Sequence, residues 1–173
     1  MKNRNKGFSM IELIIVIAII GIFTAVASLS LDYLKAGNVR SAAKTVDSNL
    51  SKLKLDTMSR EEKPYMYLYN LGGSYYMYCT SEASPTLDSK HGMKIGNTSV
   101  AIYVDGKLLK QGDTNKCVIS YKKGTGAFKS APSEIVFARA DRTKNKETLD
   151  AEGRTNSYTL TVVKETGKHY IEK

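Results

Sequence analysis

Residues 8–31, FSMIELIIVIAIIGIFTAVASLSL, form a run of 24 residues with a single charged side chain, Glu12. Nothing else in the chain limits its fold as strongly. A helix needs about 20 apolar residues to cross a hydrocarbon core of roughly 30 Å, and at about 1.5 Å per residue this run is long enough. Residues 1–7 precede it and carry Lys2, Arg4 and Lys6 without an acid. A basic stub of that kind stays in the cytoplasm and sends the following chain outward.

Two plain readings fit the length. One is a secretory signal peptide, with Ala25-Val26-Ala27 as a small-residue cleavage site. The other is a single-span anchor. The run exceeds the 7–15 residues of an ordinary signal h-region, and neither reading uses Glu12. An acid inside a spanning helix costs on the order of 2.5–3.5 kcal/mol and is usually paired or functional. Its helical neighbours Phe8, Ser9, Ile15 and Val16 supply no cation, so the expected partner is another chain or a new terminus. Cleavage between Gly7 and Phe8 would free an amine four residues before Glu12, and a neighbouring copy could present it.

The segment Gly7-Phe8-Ser9-Met10-Ile11-Glu12-Leu13, with the aliphatic run behind it, resembles the N-terminus of type IV prepilins and type II secretion pseudopilins over about residues 1–36. The resemblance implies that a membrane prepilin peptidase cuts after Gly7 and N-methylates Phe8. It implies that Glu12 pairs with the terminal amine of the adjacent subunit during filament assembly. The implied partners are the peptidase, other pilin subunits in a homo- or hetero-filament, the inner-membrane assembly machinery, and membrane lipid before assembly. The implied location is a single-pass membrane precursor with a cytoplasmic N-terminus, then an extracellular filament at the cell surface. One position departs from the pattern. Where many members carry a proline eight residues beyond the glycine matching Gly21, this chain has Leu29. That argues against a bend there and leans toward a minor subunit.

Beyond Leu31 the polarity changes while the helical period continues. Val39, Ala43, Val46, Leu50 and Leu53 recur at spacings of 4, 3, 4 and 3, one apolar stripe. Arg40, Lys44, Asp47, Lys52, Lys54 and Asp56 fill the other faces. Gly37-Asn38 is a weak point, since glycine in a helix costs about 1 kcal/mol relative to alanine. Pro64 should stop the element, leaving residues 32–62 as an amphipathic continuation. Five stripe positions fall short of the heptads a coiled coil needs, so the stripe should pack on a sheet of the same chain.

Residues 64–173 switch toward a period of two. Tyr65–Tyr69 and Ser74–Tyr78 flank Asn70-Leu71-Gly72-Gly73 and read as a hairpin. Residues 98–104 lead through Asp105-Gly106 into 107–109, a strong tight-turn signal. Residues 117–121 and 134–138 read as further strands, and 158–163 with 169–171 as a last hairpin. Segments 80–97 and 140–156 lack an apolar period and read as surface loops. The expected class is α+β: a long N-terminal helix, membrane-spanning then amphipathic, packed on a mostly antiparallel head. The closing hairpin weakly resembles minor pilins and pseudopilins of filament tips.

Cys79 and Cys117 enclose 37 residues. In an exported protein such a pair is expected to be bridged, contributing about 3–4 kcal/mol; two buried free thiols are the alternative. His91 and His169 lack paired metal-ligand spacing, and no nucleophile elbow or phosphate loop appears. No enzyme activity, metal or cofactor is implied. The net charge of +9 becomes +6 without the three leader cations. Lys122, Lys123 and Lys129 near Tyr121 and Phe128 have the mixture used by single-strand nucleic-acid binders, but solvated loops are the preferred reading. The six tyrosines of residues 65–78 suit carbohydrate, yet alternating tyrosine also suits a half-buried strand, which is preferred. The expected function is structural, a pilin-like and more narrowly a minor-pilin subunit. The alternatives are a secretion or competence pseudopilin serving DNA uptake, and a membrane-anchored surface binding protein that never polymerises.

Overall fold

The computed structural model describes residues 8–59, 64–112, 115–142 and 157–173. The chain divides into two compact units, Met1–Leu34 and Lys35–Lys173. A single helix, α1 (Met10–Ser59), contributes to both. It contains no proline, and it passes through Leu29 without interruption. Gly37-Asn38 does not break it either. A side chain at Gly37 would meet open space, and Asn38 Nδ2 donates to Ser99 Oγ at 3.2 Å, fastening this turn to the head. The expected helical residues 60–62 lie outside the described residues.

In the second unit the apolar stripe of α1 is buried. Val39, Ala43, Val46 and Leu50 are fully inaccessible and Leu53 nearly so. Ala42 and Thr57 widen the stripe, and the Thr57 hydroxyl is satisfied by donating to the Leu53 carbonyl at 2.7 Å. Each large aliphatic side chain so covered contributes about 1.5–3 kcal/mol.

Ten strands follow among the described residues: β1 (Tyr65–Leu71), β2 (Ser74–Thr80), β3 (Met93–Gly96), β4 (Val100–Val104), β5 (Lys107–Leu108), β6 (Cys117–Tyr121), β7 (Phe128–Ser130), β8 (Glu134–Arg139), β9 (Tyr158–Val163) and β10 (Lys168–Glu172). They form two five-stranded sheets, ordered β3-β2-β1-β6-β7 and β10-β9-β8-β4-β5, with antiparallel pairing throughout. Alternation sends Met66, Leu68, Met77 and Ile119 of the first sheet, and Ile102, Ile135, Phe137 and Leu160 of the second, into one cluster with the α1 stripe. Ala101, Tyr103, Val136 and Ala138 make a smaller cluster on the reverse of the second sheet.

The turns explain the register. Gly72 and Gly73 have φ of 58° and 76°, and Asp105 and Gly106 have φ of 47° and 76°. Positive φ at both central residues is the two-residue hairpin geometry whose twist matches the strands. The Asp-Gly signal therefore delivers β4 and β5, with Val104 opposite Lys107.

Three expectations need correction. Segment 80–97 is not all loop, because β3 lies inside it, with Ile95 buried and Gly96 against Val100. Nor does β1 have one face in solvent. Residues 82–88 cross its outer face, where the Tyr67 hydroxyl donates to the carbonyls of Glu82 and Ala83 at 3.1 and 2.8 Å and Tyr69 to that of Asp88 at 2.7 Å. Finally, the expected bridge is absent, since Cys79 and Cys117 are free thiols. β2 and β6 flank β1 on opposite sides, with Cys79 opposite Met66 and Cys117 opposite Leu68. Two strand spacings and a two-residue offset part them by roughly 11 Å, beyond the ~7 Å Cα reach of a disulfide. Of the expected loop 140–156, residues 143–156 lie outside the described residues.

Candidate functional site

Within the first unit, the described apolar side chains are bare. Phe8 is 85% exposed, and even Val16 and Ile19 remain at 46%. An 18-residue window here has a mean hydropathy of 2.7 with none of it buried. Left in water, each Ile or Leu forgoes about 1.5–3 kcal/mol of burial. The segment therefore demands apolar surroundings, either lipid or other copies of such a helix. Gly7 lies outside the described residues.

Glu12 occupies the third position of the helix that starts at Met10. The Ser9 backbone N–H donates to Glu12 Oε2 at 2.9 Å, the Ile11 N–H donates to Ser9 Oγ at 3.3 Å, and the Leu13 N–H closes the first turn on Ser9 O at 3.2 Å. This is a capping box: a serine at the cap and a glutamate three residues on satisfy helix-end donors for each other. The Ser9-x-x-Glu12 spacing carried that signal. One carboxylate oxygen is thus bound within its own chain, by a neutral amide and not by the cation expected from another chain or a new terminus. No cation accompanies it among the described residues, so its charge is uncompensated there.

In the second unit the two histidines are not solitary. His91 Nδ1 lies 2.9 and 3.0 Å from the two Asp88 oxygens. Asp88 also accepts the N–H groups of Lys90 and His91, and the His91 backbone bond, ahead of the His91 ring and the Lys90 N–H, holds its carboxyl below the ordinary range. The His169 side chain is only 8% exposed, with Nε2 3.1 Å from Ser51 Oγ and 3.5 Å from Asp47 Oδ1. Its Nδ1 lies 3.5 Å from the Tyr121 hydroxyl. Burial, with the charge of Asp47 second, pushes that phenol well above its usual value. The contacts pin β10 to α1. Among the described residues no group of three His, Cys, Asp or Glu could hold a metal.

A second polar network joins α1 to β8. The buried Arg139 reaches Asp141 with Nε at 3.1 Å and Nη2 at 2.8 Å, and Lys35 Nζ reaches the same carboxylate at 3.0 Å. Tyr121 and Phe128, the proposed partners of the lysine run, stack on each other at 4.2 Å with 3% and 5% exposure. They belong to the core and offer no face to a base.

The chain matches the family model described as the prokaryotic N-terminal methylation motif over residues 2–28, the signature of type IV pilins and pseudopilins. The matched span includes Gly7, Phe8 and Glu12. No curated protein and no solved structure matches the chain.

Proposed function

We propose that this chain, which carries the prokaryotic N-terminal methylation motif, is a structural subunit of a type IV pilus or a related filament, and more narrowly a minor one. The match over residues 2–28 carries the reading. The bare apolar helix supports it, because that surface is stable only in lipid or among like helices. The precursor sits in the membrane with residues 1–7 in the cytoplasm. Prepilin peptidase cuts between Gly7 and Phe8 and methylates the new amine, and assembly machinery in the inner membrane feeds the subunit into a filament at the cell surface.

The geometry of Glu12 suits the assembly step. Ser9 engages Oε2 and fixes the carboxylate on the first turn. The other oxygen is then oriented for the methylated amine of a neighbouring subunit, and the pair neutralises a charge that is costly in an apolar filament core. Burial of the aliphatic helix drives assembly, and the ion pair selects the register. No catalytic residue or cofactor enters this scheme. Leu29 in place of the family's proline favours the minor role. Quantifying the subunit against the bulk protein of sheared filaments tests that finer point: a trace fraction agrees with it and a dominant fraction refutes it.

A further inference from the structure

We propose that β10 is a docking edge for the same strand of a second copy of this chain, paired antiparallel about Tyr170. β10 ends the second sheet, and among the described residues no backbone hydrogen bond reaches its outer side. An unpaired edge is a template for another strand, and folded chains blunt it with bulges, prolines or shortness.

The other edges are blunted in those ways. β3 has four residues and a register shift against β2, β7 has three and a shift against β6, and β5 has only two. The Phe128 N–H of β7 is also engaged by the Lys164 carbonyl. β10 instead keeps five residues in unbroken register with β9 and contains no proline. It is held ready, because His169 contacts Ser51 and Asp47 of α1 and Ile171 packs on the core. A strand already ordered loses little freedom on pairing. An open groove of about 450 Å³, lined by Asp47, Ser51, Lys54 and Tyr170 among others, runs beside the strand, and Tyr170 is 45% exposed. The edge is accessible.

Its sequence selects the partner. Lys168, Tyr170 and Glu172 alternate on the exposed face of β10. A two-fold axis at Tyr170 sets each Lys168 opposite the second copy's Glu172, and the two Tyr170 side chains opposite each other. Opposite charges and aromatic pairs placed directly across two strands are favourable. Among the described residues neither Lys168 nor Glu172 is in an ion pair within its own chain. Residues 35–173 hold 23 Lys and Arg against 15 Asp and Glu, a net +8, which repels unspecific encounters between copies. The Tyr170 register is neutral and self-complementary, so it singles out one mode of approach. A contact of this symmetry closes at two copies, which separates it from assembly through the apolar helix.

The test is sedimentation of the full-length processed protein in excess neutral detergent, so that apolar helices occupy separate micelles. The parent should show a monomer–dimer equilibrium. Lys168→Glu and Glu172→Lys should each weaken it by about tenfold with an unchanged Tm. These two variants move the net charge in opposite directions, so a shared loss reports register rather than bulk charge. Mixing them should give heterodimers as tight as the parent, and both reversals in one chain should restore the homodimer. In a Cys79→Ser background, Tyr170→Cys should form a disulfide-linked dimer on mild oxidation, since directly paired residues lie about 5 Å apart, within disulfide reach. Lys107→Cys, on β5 at the opposite edge of the second sheet, should not. Four results overturn the proposal: a parent that stays monomeric, dimers indifferent to the single reversals, no rescue by mixing or by the double reversal, or equal cross-linking at position 107.

Discussion

Ser9 and Glu12 are locked to each other, the serine amide donating to the glutamate carboxylate at 2.9 Å on the first turn of α1. The acid therefore has two separable jobs, capping its helix and offering charge to a neighbour. Glu12→Gln keeps an acceptor for the Ser9 amide and loses the charge, while Glu12→Ala loses both. Both variants should still insert in the membrane. Glu12→Gln should reduce filament incorporation by about tenfold or more, the effect of some 1.4 kcal/mol, with the helix start intact. Immunoblots of sheared filaments and membranes measure this, and full incorporation of Glu12→Gln would show that charge is not used.

The Gly167 backbone is in van der Waals contact with Gly126 at φ +64°. A methyl group there would overlap the Gly126 carbonyl oxygen, so Gly167→Ala should destabilise the head by about 2–4 kcal/mol. Gly72 has a similar φ of 58° but open space around it, so Gly72→Ala should cost only about 1 kcal/mol. Urea unfolding of the two variants makes the comparison. Equal losses would mean that the crossing of the two turns contributes nothing.

Acid should weaken the link between α1 and β8. The Arg139 side-chain bond, ahead of that from Lys35, holds the Asp141 carboxyl far below its usual range. A carboxyl depressed on folding stabilises the fold above its unfolded value of about 3.9, and that contribution drains away as pH falls below it. Asp141→Asn should therefore lower stability by roughly 1 kcal/mol at neutral pH, the carboxylate being partly exposed, and by progressively less below about pH 4. Denaturant midpoints across pH check the convergence.

The thiols should respond unequally. Cys79 is exposed and Cys117 buried, and burial, helped by the charge of Asp105, pushes the Cys117 thiol up to about 12. Without reductant, the native protein should label at Cys79 alone, and both should label after unfolding. A bridged peptide spanning the two cysteines in a non-reducing digest would contradict the strand order.

Much of this was legible in the sequence because it rests on period and turn chemistry. The α1 stripe from Val39 to Leu53 and the Asp105-Gly106 hairpin needed no tertiary information. β3 and β7 were not legible: four and three residues long at sheet edges, they take their pairing from β2 and β6 rather than from their own pattern. The same long-range pairing placed Cys79 and Cys117 on opposite sides of β1. His169 read as solitary because Asp47 and Ser51 are more than a hundred residues away in sequence. The capping box of Ser9 and Glu12 was present in plain spacing, overshadowed by the cost of the charge.

The most direct test of the account is the mass of the N-terminal peptide of the mature protein purified from its native cell surface. The mature chain should lack residues 1–7 and begin with a Phe8 one methyl group heavier than unmodified phenylalanine. A chain retaining Met1, or one beginning at Ser28, would contradict it.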